Sequence, residues 1–174
     1  MATWIIDPSH SEVSFKVKHL VISTVTGKFS SFEGSLESAK DDFTDARISF
    51  SAQVESLSTG NDQRDGHLKS ADFFDAENHP TLTFTSTAIA HKGGSDYVLT
   101  GDLTIRGTTK PVTLNVEFGG TQVDFYGNTV AGFEINGKIN RQEYGLHWSA
   151  VTEAGGIVVS DEVKIHINAE LIKK

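Results

Sequence analysis

The side chains that could do acid–base or metal chemistry in this chain are scattered histidines. The seven are His10, His19, His67, His79, His91, His147 and His166. No two stand two or four residues apart, the spacings that place two imidazoles on one face of a strand or helix. A zinc site assembled from distant strands stays open, but scattered imidazoles more often serve as hydrogen-bond partners. We therefore predict no metal site.

Sequence features that would support other chemistry are missing. The chain has no cysteine, which excludes disulfides, iron–sulfur clusters, thiolate zinc sites and cysteine nucleophiles. It has no glycine-rich nucleotide motif, no G-x-S-x-G elbow and no H-E-x-x-H. Carboxylate pairs for glycoside hydrolysis are defined by distance in space, and no pair stands out. The acidic residues Asp41, Asp42 and Asp45 are interpreted as a solvated turn.

The net charge limits the partners. The chain has 15 Lys and Arg against 23 Asp and Glu, a formal charge of -8. Nucleic-acid binding and adsorption to an anionic membrane both depend on clustered positive charge. We therefore expect neither nucleic acid nor stable membrane insertion.

Three short segments combine histidine or arginine with unusual neighbours. They are residues 7–11, which lead toward His19, residues 64–70 with Arg64 and His67, and residues 141–145, which begin with Arg141. An arginine at a strand end is a good donor for an anionic or carbonyl group. The ordinary interpretations are a rim histidine bonded to backbone, a solvated helix, and an arginine paired with a carboxylate.

Alternation of apolar and polar residues predicts the elements that position these segments. Val112, Leu114, Val116 and Phe118, for example, alternate with polar residues. One apolar and one polar face is typical of antiparallel strands with one side in water. Eight strands are predicted, at residues 3–7 with 11–19, 26–37, 44–56, 80–91, 96–106, 110–120, 129–140 and 161–173.

Glycine-rich pairs mark the predicted turns, at Gly93-Gly94 and Gly119-Gly120. A further connection is predicted at residues 108–111, after Gly107. Asn136-Gly137 resembles a hairpin turn, but the alternation continues through it, so Gly137 is interpreted as a bulge or bend. Residues 61–70 lack alternation and predict a short helix capped by Asn61 or Asp62. No repeat or linker interrupts the chain, and we predict one domain, 1–174.

Eight amphipathic antiparallel strands can close as a sandwich or as a barrel. The predicted strands are about ten residues, or roughly 33 Å, long. Long strands with bulky apolar faces favour an all-β, elongated eight-stranded antiparallel lipocalin-like barrel with an apolar interior. Periodicity alone does not tell whether that interior is filled or forms a tunnel.

The order of short motifs along the chain resembles the YceI-like family of polyisoprenoid-binding, lipocalin-like proteins. The matching pieces cover nearly the whole chain: Trp4-x-x-Asp7-Pro8-x-His10-Ser11-x-Val13-x-Phe15-x-Val17-x-His19, Gly27-x-Phe29, Asp65-x-His67-Leu68-Lys69-Ser70-x-Asp72-Phe73-Phe74, Pro80-x-Leu82-x-Phe84-x-Ser86-Thr87, Gly101-Asp102-Leu103-Thr104-Ile105-x-Gly107-x-Thr109-Lys110-Pro111-Val112 and Arg141-x-x-Tyr144-Gly145. The resemblance implies a barrel whose tunnel binds a long isoprenoid or related amphiphile.

From this resemblance we predict a non-enzymatic carrier or sequestering protein for a polyprenyl compound or isoprenoid quinone. It needs no cofactor besides that ligand. The residues predicted to contact the lipid tail are Phe15, Val17, Phe29, Phe50, Leu68, Phe73, Phe74, Leu82, Phe84, Leu103, Ile105, Phe133, Ile135, Ile139 and Trp148. The residues predicted to contact the head group are His10, His19, Arg64, His67 and Arg141.

Two other functions stay open. One is a lipid head-group hydrolase, with His19 or His67 as general base and Arg141 holding an anion. The other is a stress-related structural protein whose barrel is filled by side chains. Whether the chain forms a homodimer is also left open. Residues 1–8 contain neither a basic stretch nor a long apolar run, so we expect a cytoplasmic protein, or a periplasmic one if a signal was removed.

The segment 61–74 is predicted to close the tunnel as a lid. A closed barrel offers a long ligand no entry without breaking strand hydrogen bonds. Leu68, Phe73 and Phe74 are expected to point inward, with Arg64 and Lys69 toward solvent or a head group. Gly66 weakens the helix, so local opening is expected to cost less there than in the sheet.

Overall fold

Strands make up most of the computed structural model, which describes residues 1–20, 22–148 and 159–174. The elements are β1 Ala2–Ile6, β2 Glu12–His19, β3 Ser23–Phe29, β4 Phe32–Ser38, β5 Arg47–Gln53, β6 Leu57–Ser58, α1 Asp62–Lys69, β7 Thr81–Gly93, β8 Asp96–Ile105, β9 Thr108–Val123, β10 Thr129–Asn140 and β11 Val159–Lys173. Short 3-10 turns occur at Pro8–His10, Val54–Ser56 and Arg141–Tyr144. Within this part of the chain, no helix has the length and hydropathy of a membrane span.

The strands close into a ring in the order β1-β4-β5-β7-β8-β9-β10-β11, and β11 returns to β1. β2 pairs with β3 and with β11, and β3 pairs with β6. Thus β1 with β2, β3 with β4, and β5 with β6 are three long strands, each broken in the middle. The eight-stranded antiparallel barrel predicted from the alternation is confirmed.

The first break is built by a local cap. The Asp7 carboxylate accepts a hydrogen bond from Ser9 N at 3.0 Å, and Pro8 begins the 3-10 turn, where its missing N–H costs nothing. β11 pairs with β1 on one side of the break and with β2 on the other: Leu171 of β11 pairs with Ile6, and Asn168 pairs with Glu12.

Several predicted boundaries are wrong. The strand 26–37 begins at Ser23 and is broken at Ser30 and Ser31, and the strand 44–56 begins at Arg47. Gly119 and Gly120 form no turn, because β9 continues through them to Val123 and the chain reverses at residues 124–128. Residues 108–111 also belong to β9, and the turn is Arg106–Gly107.

Gly137 does not mark a bulge. Its pairing with Ile165 is in register, and the irregularity in β10 lies instead between Gly132 and Phe133. That the strand continues through Asn136 and Gly137 is confirmed.

Helix α1 agrees with the prediction for residues 61–70. The Asn61 side chain caps it by accepting a hydrogen bond from Arg64 N at 3.0 Å. The buried Asp65 carboxylate accepts from Thr59 N at 2.8 Å and so holds the helix to the end of β6. The chain then turns back on the helix, with Phe74 N donating to Leu68 O at 3.0 Å.

The barrel has two different ends. One end, called here the hairpin end, carries the turns at 39–46, 94–95 and 124–128 and both chain termini. The other, called the helix end, carries α1, residues 70–80, the turn 106–107 and residues 141–148.

Candidate functional site

An apolar cavity of about 220 Å³ runs through the barrel, and the accessible surface of its wall is apolar. Along β8 the wall extends from Tyr97 at the hairpin end to Ile105 at the helix end. These residues are eight positions apart, so the lumen spans roughly 27 Å of strand. Well-packed interiors hold few voids larger than a water molecule, so a cavity of this size is built into the fold.

The side chains predicted to contact a lipid tail are mostly brought together around this lumen. Fourteen line it: Phe15, Val17, Phe29, Phe50, Leu68, Phe73, Phe74, Leu82, Phe84, Leu103, Ile105, Phe133, Ile135 and Ile139. Trp148 does not line it. Its ring packs against His67 and Phe73, with ring centroids 4.8 and 5.4 Å away.

Glycines recessed into the wall keep the lumen open. A Cβ at Gly27 would overlap the ring of Phe15, its cross-strand partner. The ring of Phe84 lies in the same way over Gly101, and the Leu114 side chain over Gly137. Because these bulky side chains fold down onto the backbone, they cover the wall instead of crossing the lumen.

Phe43 closes the hairpin end. It is buried at 3% exposure in the left-handed backbone conformation, φ 61°, which costs energy for a non-glycine residue. Its ring packs edge-on against Trp4, Phe118 and Phe133 at centroid distances of 5.5, 5.3 and 5.4 Å. Sequence reasoning missed Phe43, because its acidic neighbours suggested a solvated turn.

Residues 61–76 close the helix end. Leu68, Phe73 and Phe74 face the lumen, and Phe74 packs against Phe29 with ring centroids 6.3 Å apart. Arg106, also missed from the sequence, donates from Nη1 to Phe73 O at 3.1 Å and to Gly145 O at 3.0 Å. The placement of this segment over the barrel end agrees with the predicted lid, whose opening stays a prediction.

Arg141 lines the lumen, but its donors are occupied. Its Nε donates to Ser160 O at 2.9 Å, and its Nη1 donates to Leu146 O at 2.6 Å and Trp148 O at 2.7 Å. Its Nη2 lies 3.3 Å from Val159 O and 3.5 Å from Asp161 Oδ1. Four hydrogen bonds to backbone carbonyls and the ion pair with Asp161 therefore engage all three guanidinium nitrogens. This arginine fastens two chain segments and is poorly suited to a head group.

The other predicted head-group residues do not line the lumen. Arg64 bonds through Nε to Thr59 Oγ1 at 2.7 Å, and His67 Nε2 lies 2.9 Å from Asp72 Oδ2. His10 lies on the outer surface, where its Nδ1 is 2.7 Å from Asp7 Oδ2, and His19 is exposed at the end of β2. The structure therefore does not bring the five polar residues together.

Tyr144 is a further buried polar group that the motif alone did not single out. It is 1% exposed, and its hydroxyl has no hydrogen-bond partner among the described residues. Burial raises the pKa of Tyr144 to about 12, so its hydroxyl stays protonated at neutral pH.

A closed antiparallel barrel with an apolar lumen capped at both ends is the architecture of a lipocalin-like barrel protein. Residues 4–171 match the model of the YceI-like domain, and the chain belongs to the YceI-like family. A UPF0312 protein of Staphylococcus epidermidis is 36% identical over 171 residues, which cover 98% of this chain and 97% of that protein.

Solved structures have the same fold. BcnA of Burkholderia cenocepacia superposes with a TM-score of 0.83 at 25% identity, over 95% of this chain and 98% of BcnA. A polyisoprenoid binding domain from Saccharophagus degradans superposes with a TM-score of 0.67 at 16% identity, over 98% of each chain. At that identity the second likeness is a likeness of fold alone.

Proposed function

We propose that this protein binds a long-chain isoprenoid lipid, a polyprenyl compound or an isoprenoid quinone, and carries or sequesters it without chemical change. The observation that supports this most directly is the continuous apolar lumen along the barrel. A solved domain with the same fold, from Saccharophagus degradans, is a polyisoprenoid binding domain, so a barrel of this fold can hold a ligand of that class.

The free energy gained by burying an apolar chain is large enough to offset the cost of binding it. Each buried methylene is worth about 0.8 kcal/mol, so sixteen enclosed carbons give roughly 13 kcal/mol. Lost translational, rotational and chain freedom costs about 4–15 kcal/mol. Affinity in a useful range therefore needs most of the chain to be enclosed, which a lumen as long as the barrel allows.

The volume of the lumen adds a condition. Pockets for drug-sized ligands enclose about 300–1,000 Å³, whereas this lumen encloses about 220 Å³. A long chain therefore enlarges the lumen as it enters. Leu68 of α1, with Phe73 and Phe74 after it, can move without breaking strand hydrogen bonds, because none of the three belongs to the sheet.

The alternative functions receive less support. A structural protein with a filled barrel does not need a cavity of this size. A head-group hydrolase needs a general base beside the anion site, but His19 and His67 lie outside the lumen and the donors of Arg141 are occupied.

Native mass spectrometry tests the proposal. We expect the purified protein to carry isoprenoid lipid, and the protein stripped by organic extraction to rebind an added polyprenol. Phe84→Asp places a carboxylate in the lumen, which costs several kcal/mol when unpaired, and should abolish rebinding. Thr85→Asp places the same charge on the exposed face of the same strand and should rebind normally. Equal rebinding by both folded variants would contradict the lumen as the site.

A further inference from the structure

The turn between β9 and β10 exposes an unusual group of apolar side chains. Phe125 is 106% exposed, Tyr126 88% and Val123 68%. Single exposed apolar residues are ordinary, but adjacent ones exposed to this degree mark an interaction surface. We call Val123, Phe125 and Tyr126 the aromatic tip.

The aromatic tip stands beyond the hairpin end of the barrel. β8 begins at Asp96, opposite Glu117 of β9, and Phe118 N still bonds to Ser95 O. Residues 119–123 of β9 continue past that point paired with β10, and β10 is paired with β11 as far as Ile172. Beyond these pairs only the turn at residues 124–128 extends, so its exposed side chains can meet a surface.

Internal hydrogen bonds hold the turn in one shape. The Asp124 carboxylate accepts from Tyr126 N and from Asn128 N, both at 2.9 Å, and Asp124 N donates to Asn128 O at 2.9 Å. Gly127 N donates to Asp124 O at 3.2 Å, in a backbone conformation of φ 80° that suits glycine. With these backbone donors already bonded, the tip can leave bulk water at little cost in lost hydrogen bonds.

The area and charge of the tip identify the partner. Two aromatic side chains offer about 300–500 Å² in all, whereas a stable protein interface buries about 800 Å² on each partner. Residues 122–128 contain no Lys or Arg, and their single charged side chain is Asp124. Aromatic side chains concentrate at the membrane–water interface, and no side chain of residues 122–128 attracts anionic lipid.

We propose that the aromatic tip is a shallow, reversible anchor to the interface of a zwitterionic bilayer. The proposal goes beyond the proposed function and does not rest on it, because the tip is at the hairpin end and the segment proposed to admit lipid is at the helix end. The anchoring itself does not depend on what the lumen holds.

Flotation with phosphatidylcholine vesicles tests the anchor. Phe125→Ser combined with Tyr126→Ser should weaken vesicle binding by about tenfold or more, because each lost aromatic removes buried apolar area. Ile22→Ser removes an apolar side chain that is 84% exposed at the other end of the barrel, and should leave binding unchanged. Phe125→Trp should show a blue-shifted emission on adding the vesicles.

Three results would overturn the anchor. The first is equal vesicle binding by the tip variant and the wild type. The second is binding to anionic vesicles alone that high salt abolishes. The third is a dimer in analytical ultracentrifugation that the tip variant dissociates, with no vesicle binding. Native mass spectrometry of lumen lipid separates the two proposals, because the tip variant keeps its lipid if only the anchor is affected.

Discussion

The lumen depends on individual glycines, since each one sets how far a bulky neighbour reaches inward. At Gly101 an added Cβ would overlap both the Phe84 ring and the backbone oxygen of Thr85. The ring can move only toward the lumen, and the backbone contact adds strain. Residues this small inside strands are therefore part of the binding site although they offer no contact surface of their own.

Gly101→Ala should reduce both stability and lipid capacity. Overpacking of this kind costs about 1–3 kcal/mol, measured as the free energy of unfolding in urea. Rebinding of polyprenol should fall in the same variant, and Phe84→Leu in the Gly101→Ala background should restore part of it. Gly132→Ala is the control, because no atom lies within 4 Å of the added Cβ. A Gly101→Ala protein that binds lipid like the wild type would show that the position of the Phe84 ring does not set the width of the lumen.

The Asp7–His10 pair gives the break in the first strand a pH dependence. Its hydrogen bond to Asp7 raises the pKa of His10, and the same bond lowers the pKa of Asp7. The contribution of His10 to the stability of the folded state is complete below the ordinary histidine pKa of about 6.5. It is lost as pH rises through the higher pKa of the folded state. The contribution of Asp7 to stability is complete above about pH 4 and is lost as pH falls through the lower pKa of the folded state.

His10→Gln should therefore lower the melting temperature more at pH 5.5 than at pH 8.5. Thermal unfolding followed by circular dichroism at the two values measures the difference. NMR titration supplies the direct test, because Asp7→Asn should bring the pKa of His10 down toward its ordinary value. If wild type and His10→Gln differ in melting temperature by the same amount at both pH values, the pairing of His10 with Asp7 is contradicted.

At the scale of elements, alternation predicted the eight strands because inward positions need apolar side chains whatever the details of the turns. It also found most of the lumen wall for the same reason. The breaks were harder: Ser30 and Ser31 are polar residues that fit a strand or a corner equally well. Gly119 and Gly120 suggested a turn, yet the turn depends on Asp124, whose carboxylate bonds to Tyr126 N and Asn128 N.

The polar part of the candidate site was beyond prediction for a physical reason. The donors of Arg141 are satisfied by carbonyl oxygens that belong to two separate segments, at Leu146 and Trp148 and at Val159 and Ser160. No local pattern reveals such partners. Phe43 likewise reaches the core only because its loop folds back over the hairpin end of the barrel.

Helix α1 is the element in which we expect motion during lipid uptake. Gly66 lowers helix stability by about 1 kcal/mol relative to Ala, and no atom lies near the position of an added Cβ. Gly66→Ala should therefore reduce the open population of residues 61–74 about fivefold and slow lipid uptake without changing the final amount bound.

Hydrogen exchange with and without polyprenol measures the opening of this segment. Residues 61–74 should gain protection with lipid, and Gly66→Ala should gain part of that protection without lipid. Gly132→Ala, which also has open space around the added Cβ, should leave exchange in 61–74 unchanged. Protection that changes elsewhere but not in this segment would show that lipid enters by another route.

The whole molecule is a sheet closed on itself, and that closure links lipid binding to global stability. The first strand closes the ring against β11, through β1 from Trp4 to Ile6 and through β2 from Glu12 to Val17. Opening this seam exposes the lumen and releases whatever it holds. A ligand enclosed in the lumen therefore stabilises the closed barrel against unfolding as a unit.

Lipid removal should lower the melting temperature of the whole barrel in a single transition. At a free lipid concentration of about 100 times Kd, binding adds about 2.7 kcal/mol to the free energy of unfolding. Calorimetry of extracted protein with increasing polyprenol should show a melting temperature that rises with concentration, whereas Phe84→Asp should show no rise. A short alcohol of similar head group is the control for non-specific effects. A rise of equal size in wild type and Phe84→Asp would place the lipid outside the lumen, because the buried carboxylate acts on lumen binding alone.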